Sequence, residues 1–143
     1  MPRHFARSGI SVQYPENWTV ETEENDEGWS ATISSPDTAF LLLSHYEDHD
    51  EPGALADMAI EAMRETYTDL EMSEVVETLA GHPVVGYDVE FVALDLTNTC
   101  WIRALTSPHG AILLMGQCTD SELETNGEVL HAIRASLKIE DAA

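Results

Sequence analysis

Residues 79–118 constrain this chain more than any other stretch, because they form its longest strand-like run and two turn signals cut that run into three. Strands joined so closely are antiparallel neighbours, since a parallel pair needs a crossover of a dozen residues or more. Residues 84–94 read as the first strand, with a turn near Thr97 and Asn98, where asparagine tolerates a left-handed backbone. Residues 100–106 read as the second. Pro108, His109 and Gly110 then supply a three-residue hairpin loop, with glycine where positive φ is needed, before a third strand that reaches Cys118.

If Ser107 pairs with Ala111, the numbers of paired residues across this hairpin sum to a constant and Cys100 falls opposite Cys118, both thiols on one face. That face also collects Tyr87, Val89, Phe91, Ala93, Ile102, Ala104, Ile112 and Leu114, the composition of a packed core. The other face, with Asp88, Glu90, Val92, Leu94, Trp101, Arg103, Leu105, Leu113, Met115 and Gln117, is amphipathic. A slip of one residue would break this match. The opposed thiols are either reduced and packed as small hydrophobes, as is usual in a cytoplasmic protein, or joined in a disulfide. Glu90, Trp101 and Arg103 have two readings: a salt bridge beneath a covering helix, or a partner-binding surface built on an aromatic and an arginine.

The flanking sequence fits one antiparallel architecture. Alternation of apolar and polar residues marks strands at 10–14, 18–23, 28–34 and 73–79, separated by Pro15, an acidic tip ending at Gly28, and the Ser35, Pro36, Asp37 turn. The strand at 38–46 contains an unbroken apolar run at 39–43, which suggests cover on both faces. Pro52 opens a helix whose Leu55, Met58, Ala59, Ala62, Met63, Thr66, Tyr67 and Leu70 recur at helical spacing. Asp120 is a candidate N-cap for a last helix marked by Leu123, Leu130, Ile133 and Leu137, which Gly127 weakens locally. Residues 1–143 therefore form a single α+β domain, with frayed ends near 1–8 and 140–143.

Charge limits function more than any motif does. Six basic residues stand against 27 acidic ones, a formal charge of -21. Such a surface repels phosphate backbones and anionic membranes, which excludes nucleic acid as a partner. The acids are spread along the whole chain, which favours adaptation to high internal salt over a single docking patch for a basic partner. No apolar stretch is long enough for a membrane span and no signal-peptide core follows the first residues, so a soluble, cytoplasmic protein is expected.

Candidate chemistry is sparse. His45, Asp48 and His49 lie in a run of histidines and carboxylates at a strand-to-helix junction, where imidazole and carboxylate ligands suit a transition metal only if they converge. The alternative is a solvated loop whose acids sit at a helix N-terminus. No phosphate-binding glycine loop, HExxH or GxSxG is present. His82 and His109 read as turn residues. The chain offers no catalytic set and no cofactor signature.

Gly9-Ile-Ser-Val-Gln-Tyr-Pro-Glu-Asn-Trp18 resembles the opening of the Mog/PsbP-like superfamily, Leu79-Ala-Gly-His-Pro83 the start of its central meander, and Ile133-Arg-Ala-Ser-Leu137 its closing helix. The resemblance implies an antiparallel sheet of about six or seven strands with helices on its faces, in a superfamily that includes Eag-type and DcrB-like bacterial proteins. It implies protein binding, as an adaptor or chaperone, rather than catalysis. Two other readings stand beside it: a small metal-dependent protein or enzyme centred on the His45 to Glu51 cluster, and a self-associating subunit forming a homo-oligomer.

Overall fold

The computed structural model describes residues 2–47, 51–67 and 69–140. Seven strands form one antiparallel sheet in the order β3-β4-β5-β9-β8-β7-β6, and three form a small sheet in the order β1-β2-β10. The strands are β1 Arg3–Arg7, β2 Ile10–Tyr14, β3 Thr19–Asn25, β4 Gly28–Ser34, β5 Phe40–Tyr46, β6 Glu71–Leu79, β7 His82–Ala93, β8 Leu96–Ser107, β9 Gly110–Thr119 and β10 Lys138–Ile139. Helix α1 spans Pro52–Thr66 and α2 spans Glu128–Ala135. The expected α+β architecture is the observed one. The expected frayed amino-terminal end is not: Arg3–Arg7 pairs along the whole of β2, with Ser8 and Gly9 supplying the two positive-φ residues of its turn.

The central meander is the expected one, with two changes of register. The first turn falls at Leu94 and Asp95, both at positive φ, instead of at Thr97 and Asn98. This pairs Val89 with Cys100 and Phe91 with Asn98. The displacement is an even number of positions, so the faces of β7 and β8 keep their expected residues. The second turn has two residues in place of three, because Ser107 pairs with Gly110. Ser107 Oγ donates to the Gly110 carbonyl at 3.0 Å and accepts from the His109 N–H at 3.1 Å, which ties the short turn.

That single-residue slip turns β9 over relative to β8. Cys100 pairs with Gln117 and Cys118 with Thr99, so the two thiols lie on opposite faces of the sheet instead of facing each other. The physical reason is that both faces are buried at β9: Ala111, Ile112, Leu113 and Leu114 are all buried, whichever way each points. Hydrophobic pattern specifies register only where one face is wet.

Two cores result. On one face α1 lays Leu55, Ile60 and Met63 against Val89, Phe91, Cys100, Ile102 and Leu113. On the other, the small sheet and α2 bring Ile10, Val12, Leu130, Ile133 and Leu137 down on Trp18, Trp29, Ile33, Leu41, Leu43, Leu105, Leu114 and Cys118. Asp120 does not cap the last helix. It lies in a 3-10 turn, Asp120–Glu122, that widens into a π turn, Leu123–Gly127, before α2 begins. Thr38, Thr119 and Asn126 side chains donate to the Glu122 carboxylate there. Burial pushes the Glu122 carboxyl up, but these bonds outweigh it and hold the group below its ordinary range.

Candidate functional site

The two faces of the large sheet differ in how far they are covered. On the α1 face the helix packs on β7, β8 and β9. One flank of α1 is tied down, since Tyr87 Oη donates to Asp57 Oδ1 at 2.5 Å and the Arg64 guanidinium reaches Met72 Sδ at 3.4 Å. That bond to Asp57, with burial and the nearby carboxylate charge, raises the Tyr87 phenol. The other flank looks across β9 and β5 over a cavity of about 380 Å3, lined by Leu42, Ser44 and Tyr46 of β5, Leu113, Met115 and Gln117 of β9, and Met58, Ala59, Ala62, Met63, Thr66 and Tyr67.

This trough runs over the partly covered β5 and opens onto β3 and β4, which no described helix covers on the same face. Register places the rows without ambiguity: Met115, Leu42, Thr32 and Glu21 lie side by side, and so do Leu113, Ser44, Ser30 and Glu23. Phe40 and Leu42 on this face are half-buried, whereas Leu41 and Leu43 on the opposite face are 1% and 0% exposed. The unbroken apolar run of β5 is therefore covered fully on one side only, contrary to the two-sided cover expected of it. Met58, at 50% exposure, stands on the helix rim.

A second crevice, of about 550 Å3, runs between α2 and the end of β2 beside Tyr14, Pro15, Val129, Ala132 and Ile133. It is the larger space, but it lies in the seam of two layers that already cover the sheet. The trough lies at the edge of the α1 layer, where cover of the sheet stops among the described residues, and we take it as the candidate site.

The residues singled out from sequence lie elsewhere. His45 sits on β5, 2% exposed, stacked on Trp29 at 5.5 Å between ring centroids. Its Nε2 lies 2.7 Å from the His109 carbonyl, an acceptor, so Nε2 carries the proton and Nδ1 is left buried without a partner. Gly110 makes room for this ring, since a Cβ there would come within 2.9 Å of Nε2. Asp48 and His49 lie outside the described residues, and among the described residues no three histidine, cysteine or carboxylate groups converge to hold a metal.

Arg103 is 3% exposed and its guanidinium is engaged by Glu77 and Asp88, each at 2.8 Å, and by the Ile102 carbonyl at 3.0 Å. Its partners are thus two other carboxylates, while Glu90 is exposed and paired in register with Glu71 and Thr99. Trp101 is half-buried with its ring edge-on to His131 of α2, centroids 4.8 Å apart. Burial and the Arg134 charge hold His131 below its ordinary value. Of the three residues, Arg103 is consumed by the interior, while Glu90 and the partly exposed Trp101 line one crevice of about 450 Å3.

Sequence reasoning missed the trough. Its signal was present in α1, whose apolar set from Leu55 to Thr66 is wider than one buried stripe: Leu55, Ala59 and Met63 are buried, whereas Met58, Ala62 and Thr66 are exposed.

No protein-family model matches the chain, and no curated protein matches it. Solved structures do match. Cyanobacterial PsbP (CyanoP) from Synechocystis sp. PCC 6803 aligns over 97% of this chain and 92% of its own, with a TM-score of 0.65 and 8% identity. LpqN of Mycobacterium tuberculosis, described as involved in cell envelope biogenesis, aligns over 97% and 89%, with a TM-score of 0.63 and 16% identity. PA94 from Pseudomonas aeruginosa, a protein of unknown function described as a putative regulator, aligns over 99% of both chains, with a TM-score of 0.59 and 11% identity. The chain has the PsbP-like fold. Among its described residues no helix is long and apolar enough to cross a membrane.

Proposed function

We propose that this protein is a non-enzymatic protein-binding module that seats an apolar segment of a partner in the trough beside α1. One observation carries the reading: the α1 face of the sheet is roofed over β7, β8 and β9, only partly covered over β5, and open among the described residues over β3 and β4, with an apolar cavity at the boundary. The lining offers hydroxyls and an amide but no histidine, cysteine or carboxylate, which favours holding over chemistry. Three of the lining residues are methionines, flexible and polarisable side chains that mould to different apolar shapes. A cytoplasmic setting belongs to the same reading.

The test is uptake of Nile red, an uncharged dye that the carboxylates do not repel. Wild type is expected to bind it with a blue-shifted emission that Leu42→Asp abolishes, while Val76→Asp, at a position 81% exposed on β6, leaves it unchanged. Equal emission from wild type and Leu42→Asp, with both folded by circular dichroism, would remove the trough as the site.

A further inference from the structure

We infer that the occupant of the trough is a cationic amphipathic helix of a partner protein, lying alongside α1 and completing the helical layer over β3, β4 and β5; this rests on the reading of the trough as a binding site. Two observations converge on it: the dimensions of the bare surface and the sign of the charge along its borders.

A helix fits the space. Strands lie about 4.8 Å apart, so β3 to β5 offer a floor roughly 10 Å wide between their outer axes, one helix diameter. The seven residues of β5 run about 23 Å at ~3.3 Å each, and the 15 residues of α1 run about 22 Å at ~1.5 Å each. A second helix of α1's length would therefore cover the bare half as α1 covers the other. Its apolar stripe would meet the partly exposed Phe40, Leu42 and Met115 on the sheet and Met58 on the helix wall.

Both borders are acidic. Along the outer strand Glu21 and Glu23 stand exposed on the same face as Leu42 and Ser44. Along the helix Glu61 and Glu65 are exposed beside Met58 and Ala62, and Glu47 is exposed just beyond Tyr46. Arg64, on the far flank of α1 toward β6, is bound to Glu61 at 2.5 Å, which leaves Glu65, among the described residues, as the free carboxylate nearest Met58 and Ala62. Between them, Ser30, Thr32 and Ser34 make a neutral floor. An apolar stripe flanked on each side by lysine or arginine satisfies every part of this surface at once, whereas an acidic or wholly apolar helix leaves the carboxylates repelled or unmatched.

The experiment uses the full chain and three fluorescein-labelled synthetic peptides of fifteen residues: leucine and lysine at helical spacing, the same pattern with glutamate for lysine, and the leucine-lysine composition scrambled. The patterned lysine peptide is expected to bind by anisotropy at micromolar concentration near 0.15 M salt, at least tenfold tighter than the other two. Leu42→Asp is expected to weaken it at least tenfold. Because that substitution adds negative charge, attraction by charge alone would strengthen the complex, and such a gain would overturn the inference. Glu21→Lys with Glu23→Lys is expected to reduce lysine-peptide binding and raise glutamate-peptide binding.

Equal binding of the lysine and glutamate helices, or of the scrambled peptide, would overturn the choice of occupant and leave the trough standing, provided that Leu42→Asp still abolishes Nile red uptake. Sedimentation of the wild-type chain as a dimer that Leu42→Asp dissociates would overturn it in favour of a second copy. Loss of neither peptide nor dye on Leu42→Asp would remove both readings together.

Discussion

Leu42 and Leu43 are neighbours on one strand, yet they belong to different surfaces. Leu43 points into a core closed by two tryptophans, the small sheet and α2, and is fully buried; Leu42 points at the half-roofed face and is only partly buried. The closed face has spent its apolar surface on folding. The open face retains some of it, beside carboxylates, where it is available to something else. The contrast teaches that the sheet is a complete structural wall on one side and an unfinished layer on the other.

The largest effect expected from this comparison is on stability. Leu43→Ala leaves a cavity that a tightly packed layer cannot collapse, and should cost about 3 to 4 kcal/mol in urea unfolding. Leu42→Ala should cost less, about 1 to 2 kcal/mol, because its side chain is only partly buried and leaves no enclosed cavity. Equal losses at the two positions would break the distinction between the faces.

The same two-sidedness explains what was legible in the sequence. The count of about six or seven strands in one sheet is what the family resemblance implies, while most of the strands and the β7 and β8 faces could be read from alternation and the α1 stripe from helical spacing. The slip in β9 could not, since Ile112, Leu113 and Leu114 are buried on either face and no polar residue marks which way is out. A salt bridge at Arg103 beneath a covering helix is one of the two readings the sequence allows; which carboxylates make it is not legible there, because Glu77 of β6 and Asp88 of β7 converge only through pairing between strands. The β1 strand was lost for a similar reason, as Arg3, His4 and Arg7 flank a single aromatic and only the pairing with β2 gives them order.

A second, smaller effect separates Arg103 from Glu90. Arg103→Met removes charge-assisted bonds to two carboxylates that solvent partly reaches, so those carboxylates can rehydrate, and a loss of about 2 kcal/mol is expected. Glu90→Gln, on the exposed side chain, should stay within about 0.5 kcal/mol of wild type. A loss at Glu90 as large as that at Arg103 would place Glu90 in the buried ion pairs and contradict the register found here.

The cysteines give the finest comparison, one thiol in each core. Burial pushes Cys100 up to about 12, against a lesser lowering by Arg103, and Cys118 up to about 11. A thiol raised in the folded state contributes stability that is complete below its unfolded pKa of about 8.5 and is lost as pH rises through the folded value. The melting temperature should therefore begin to fall above about pH 9, and Cys100→Ala should flatten part of that slope. Oxidation of the native protein should yield no bond between the two thiols, since the sheet itself stands between them. A Cys100–Cys118 linkage found by mass spectrometry under native conditions would overturn the register of β8 and β9.

The most direct measurement is a 1H–15N titration of the labelled protein with the patterned leucine-lysine peptide. The expected result is a set of shifts confined to β3, β4 and β5, the β9 residues Leu113, Met115 and Gln117, and the α1 residues Met58 to Thr66, with β1, β2, β10 and α2 unmoved. Shifts centred on α2 and the small sheet, or scattered over acidic residues on both faces, would contradict the claim that the unfinished layer is where this protein binds.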